Sequence, residues 1–69
     1  MTPASFRAAR KSLGLSQAEF ARALGYRSAD NHTLRQQVCD MEAGRKPIQP
    51  QVYRLAEMFA RVGIPEEWR

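Results

Sequence analysis

Arg35, Gln36, Cys39 and Asp40 lie close together in the stretch HTLRQQVCDMEAG, residues 32 to 44. Each helical residue turns about 100° from the last, so Leu34, Val38 and Met41 share one narrow stripe while Arg35, Gln36, Cys39, Asp40 and Ala43 take the other half. The stripe is the side that packs. An ordinary helix leaves its polar half to water, but this one carries side chains with a specific complement. Arginine can donate two parallel hydrogen bonds to a guanine edge, and glutamine can pair its donor and acceptor with an adenine edge. The arrangement therefore points to base edges in a major groove.

The totals narrow the alternatives. Sixty-nine residues make one domain, residues 1 to 69, and a chain this short needs a compact core. Eleven Lys and Arg against seven Asp and Glu leave a formal charge of +4, which makes a polyanionic partner physically plausible. Cys39 is the only cysteine and His32 the only histidine. No disulfide can form within the chain, and two such residues about 10.5 Å apart along a helix cannot complete a metal coordination sphere. No metal and no cofactor is expected, and Cys39 reads as an inert small side chain before it reads as a redox switch. No nucleophile is paired with a base and no glycine-rich phosphate loop is present, so an enzyme is not expected. No apolar run approaches the length of a membrane span and no signal peptide opens the chain. The expected location is the cytoplasm.

The elements that must hold Arg35 and its neighbours are marked by their punctuation. Thr2 and Pro3 start a first helix that runs to about Leu13, with Phe6, Ala9, Arg10 and Leu13 on one side and Gly14 as its cap. SQAE at 16 to 19 is a capping box that opens a second helix. Phe20, Ala21 and Leu24 form its stripe and Gly25 its cap. YRSADNH lacks periodicity and reads as a loop. Thr33 with Gln36 forms a second capping box, and Asp30 or Asn31 offers an alternative start one turn earlier. Gly44 ends this third helix. After RKPIQP, Pro50 opens a fourth helix whose stripe is Val52, Leu55, Ala56, Phe59 and Val62. IPEEWR suits one last turn. Nothing alternates with a period of two, so the fold is expected to be all-α, a compact bundle of four to five short helices.

RKSLGLSQAEFARALG, VCDMEAGRKPI and LAEMF together resemble the helix-turn-helix DNA-binding domains of the lambda-repressor and Cro type, also called the xenobiotic-response-element type. The resemblance covers roughly residues 6 to 62. It implies a sequence-specific regulator of transcription that binds double-stranded DNA, a repressor acting as a dimer on a palindromic operator. It places Arg35, Gln36 and Asp40 where such proteins read bases, with Cys39 on the same surface. Gln17 falls where the family contacts a phosphate and buttresses the recognition helix, Thr33 and Gln37 fall beside the backbone, and Arg45 and Lys46 fall in the loop that grips it. Arg10 and Glu42 fall where several members make a partly buried ion pair.

The resemblance breaks between Gly25 and Thr33, where seven residues replace the usual three or four. Three outcomes are open for this enlarged turn: a flexible loop, an N-terminal extension of the recognition helix, or an extra DNA contact through Arg27 or His32. Tyr26, Tyr53, Met58 and Trp68 are apolar residues outside the core stripes. They either lap over core edges or form a dimer surface, with helix four and the C-terminal segment (Met58, Val62, Ile64, Trp68) as the expected homodimer contact. The competing function is a protein-interaction module such as an antitoxin that holds a partner protein, with DNA binding secondary.

Overall fold

The computed structural model describes all 69 residues. Four helices, α1 (Pro3–Ser12), α2 (Gln17–Ala23), α3 (Asn31–Glu42) and α4 (Pro50–Val62), are followed by a single 3-10 turn, Glu66–Trp68. The chain is all-helical, as expected, and has no strand. α2 packs on α3, α4 packs on α1, and α1 also touches α3.

Local chemistry accounts for most of the boundaries. The Thr2 hydroxyl accepts the amide of Ser5 and the Ser5 hydroxyl accepts the amide of Thr2, both near 3 Å, with Pro3 as the first helical residue. Ser16 and Glu19 make the expected reciprocal pair, at 3.1 and 2.8 Å. The Glu19 carboxylate is held below its ordinary range chiefly by the Ser16 backbone N–H. α1, α2 and α3 all end alike: the third residue beyond each helix donates its N–H five residues back, as in Leu15 to Arg10, Tyr26 to Ala21 and Arg45 to Asp40. This closure needs a left-handed residue between, and Gly14 and Gly44 supply it at φ 71° and 78° where a side chain would be strained.

α3 starts at the earlier of its two expected positions. Asp30 caps it by accepting the amide of His32 at 2.9 Å, so the helix opens at Asn31 and the Thr33–Gln36 box does not form. An acid at a helix N-terminus is favoured by the exposed amides and the helix dipole. The Thr33 hydroxyl turns instead to the Asp30 carboxylate, at 3.3 Å. The connection from α2 is thus residues 24 to 30, and Asn31 and His32 belong to the first turn of α3.

Phe6, Phe20, Leu34, Val38, Met41, Ala56 and Phe59 are fully or almost fully buried, and no polar side chain is buried with them. The rings of Phe6 and Phe20 meet at 5.1 Å. Leu34, Val38 and Met41 form the inward side of α3 as the spacing required. Val62 departs from its expected place on the α4 stripe and is 74% exposed. The stripe ends at Phe59 because Gly63 turns the chain back, and Ile64 supplies the next contact with the core.

One polar cluster fastens three elements. Arg10 donates to the Glu42 carboxylate from Nε at 2.7 Å and from Nη2 at 3.3 Å, and Nη1 donates to the carbonyl of Leu15 at 3.0 Å. Gln17 Nε2 adds a bond to Glu42 at 3.1 Å. The Arg10 and Glu42 side chains are only 12% and 7% exposed. Removing one partner from such a pair strands the other charge in a poorly solvated place. Arg10→Ala is therefore expected to lower unfolding stability by about 3 kcal/mol in a urea titration. A loss below about 1 kcal/mol, the range of surface pairs, would show that solvent screens the cluster.

Candidate nucleic-acid interface

The outward half of α3 is built by the same helix that fills the core. With Leu34, Val38 and Met41 turned inward, Arg35 and Gln36 are exposed, and Cys39 and Asp40 are partly so. Asp40 is the hub of this surface. Its Oδ1 accepts from Gln36 Nε2 at 2.8 Å and from Arg45 Nε at 3.1 Å. Its backbone carbonyl accepts the amides of Arg45 and Lys46, at 2.9 and 3.2 Å. A single residue thus holds the side chain of Gln36 and the basic loop that follows the helix. Arg45 Nη2 also lies 3.8 Å from the Cys39 sulfur.

Lys46 is tied to α3 in a second way. Its ammonium group donates to Gln37 Oε1 and sits 5.3 Å from the centre of the Tyr26 ring. Loss of solvent raises the half-buried Tyr26 phenol above its ordinary pKa, and its ring offers Lys46 a face. Tyr26 thereby links the 24 to 30 connection to the loop after α3, a link that no periodicity in the sequence announces.

The residues expected at this surface do not all gather there. Gln36, Cys39, Asp40 and Arg45 form one group, and Gln37 with Lys46 another beside it. Arg35 stands exposed on the same helix. Gln17 supports α3 through Glu42, at the far end from Arg35, and its amide nitrogen keeps one hydrogen for a second acceptor. Thr33 is turned to Asp30. Arg27 lies on a different cleft, with Leu55 and Trp68 as neighbours in place of Gln36 or Arg45. His32 is exposed in the first turn of α3.

Two arginines were not singled out by the sequence. Arg22 donates to Asn31 Oδ1 at 2.7 Å and so joins the end of α2 to the first residue of α3. Arg7 lines a hollow of about 270 Å³ with Gln17, Cys39 and Ala43, between α1 and the outward side of α3. Only the folded arrangement of α1 beside α3 shows Arg7 as part of this surface. No group of three or more His, Cys, Asp or Glu side chains is arranged to hold a metal, and no helix is long and apolar enough to cross a membrane.

Comparison with family models, curated proteins and solved structures found no match to the chain. The geometry of the chain itself carries the functional reading.

The hydrogen bond from Gln36 and then that from Arg45 hold the Asp40 carboxyl below its ordinary range. A lowered folded value means that the network is complete above the unfolded pKa and is lost as pH falls through the folded one. A carboxylate NMR titration is expected to give Asp40 a midpoint below about 3.9, the value of a free aspartate. Arg45→Ala should move that midpoint upward. A midpoint at or above the free value would show that the network does not persist in solution.

Proposed function

We propose that the chain is a cytoplasmic, sequence-specific regulator that binds double-stranded DNA, a repressor that lays α3 in the major groove of a palindromic operator. The observation that carries this reading is the outward half of α3, where base-competent side chains and a basic loop are tied together at Asp40. Arg35 and Gln36 take the base edges, and the spare oxygen of Asp40 suits the amino group of cytosine. Arg45 and Lys46 take the phosphates that set the register. The net charge of +4 favours approach to the duplex and makes binding sensitive to salt. The resemblance to the lambda-repressor and Cro type supports the same docking, with a longer connection ahead of the recognition helix.

A homodimer suits a two-fold site. Met58, Val62 and Trp68 are exposed and supply apolar surface for it, whereas Ile64 is half-buried against the core and supplies less. The second reading, an antitoxin-like module that holds a partner protein, would use the same exposed Met58 and Val62. The outward side of α3 favours DNA over that alternative, because a polar, cationic surface suits a wet interface better than an apolar hot spot.

Fluorescence anisotropy with a selected duplex separates the roles. Arg35→Ala and Gln36→Ala are each expected to cost roughly 1–3 kcal/mol on the preferred site and to relax sequence preference. Lys46→Ala is expected to weaken all sequences alike and to reduce the slope of log affinity against log salt by about one. Unchanged affinity and preference in both α3 variants would contradict the assignment.

A further inference from the structure

The enlarged connection between α2 and α3 forms part of the wall of a cleft of about 410 Å³, within the size range of small-ligand sites. Three chain segments far apart in sequence meet there: residues 22 to 25 with Arg27, Leu55 of α4, and residues 67 to 69. Leu55 and Trp68 supply apolar lining with the buried Leu24 behind them, and Trp68 is 46% exposed although its ring meets Phe59 at 5.9 Å. Arg22, Arg27 and Arg69 line the same cleft together with Glu67, and Glu19 lies beside Arg22 and Arg69. The direct ion pairs of the chain are Arg10–Glu42 and Arg45–Asp40, so none of these three arginines makes a direct salt bridge.

Three arginines without a direct salt bridge, lining one cleft with aromatic and aliphatic side chains, ask for a ligand with both characters. A bare phosphate or a DNA backbone would leave Leu55 and the exposed part of Trp68 unmatched, and a neutral hydrocarbon would leave the arginines unmatched. We infer that this cleft binds a small aromatic carboxylate, its acid group bridged by Arg22 and Arg27 and its ring placed against Trp68. The planar fork of arginine fits a carboxylate through two parallel hydrogen bonds.

The cleft is also connected to α3. Arg22 donates to Asn31, the first residue of that helix. A carboxylate that engages Arg22 competes with Asn31 for its donors, so occupancy alters how the N-terminus of α3 is held. This coupling rests on the DNA-binding reading, whereas ligand binding itself does not.

Trp68 is the only tryptophan and reports on the cleft directly. Quenching by 4-nitrobenzoate is expected to saturate, with the neutral isostere 4-nitrobenzamide at least about tenfold weaker. Arg27→Ala and Arg22→Gln are each expected to weaken the carboxylate by about tenfold while thermal melts followed by circular dichroism confirm that both variants fold. Linear quenching without saturation, equal affinity for acid and amide, or unchanged affinity in both variants would overturn the inference. Added benzoate should then shift the anisotropy titration of duplex DNA for the wild-type chain and not for Arg27→Ala. The fluorescence result needs no DNA, so it stands or falls apart from the DNA-binding reading.

Discussion

The Arg10–Glu42 pair decides where α3 sits. From α1 its guanidinium reaches the C-terminal end of α3 and the carbonyl of Leu15 ahead of α2, while Gln17 closes the cluster from the start of α2. The apolar core of so small a domain is non-directional, and Leu34, Val38 and Met41 alone would tolerate some rotation or sliding of α3. A charge-assisted fork imposes direction. With Glu42 held at one end and Arg22 on Asn31 at the other, the outward side of the helix has a fixed aspect.

That fixed aspect turns Asp40 into a junction between two kinds of contact. Its carbonyl receives the amides of the loop that follows the helix, and its carboxylate receives Gln36 and Arg45. In the proposed complex the distance between phosphate and base contacts would be set inside the protein before DNA arrives, which limits the ordering cost of binding. Lys46 is held by Gln37 and the Tyr26 ring and would exchange those contacts for a phosphate.

Much of the fold was legible in the residues. Thr2–Pro3, the Ser16–Glu19 box, Gly14, Gly25 and Gly44, and the stripes of α1 to α3 are local signals, and local hydrogen bonds realise them. The start of α3 was harder because two N-terminal signals stand three residues apart. The outcome turned on Asp30, whose carboxylate captures the His32 amide and also draws in the Thr33 hydroxyl. Val62 misled because periodicity continues to the last residue of α4, just before the Gly63 cap, where its spacing is helical but nothing covers it. At the candidate interface, the spacing placed Arg35, Gln36, Cys39 and Asp40 on one side of a helix. The Asp40 hub, the Tyr26–Lys46 contact and the position of Arg27 depend on how loops fold back, which no single-helix period encodes.

The central claim, that the outward half of α3 meets base edges, is tested most directly by selection of bound duplexes from a random pool and sequencing of what is retained. The expected result is a two-fold symmetric motif whose half-sites contain guanine and adenine positions that lose their enrichment when Arg35 and Gln36 are replaced. A retained pool with no motif, or a motif indifferent to those two side chains, would contradict it.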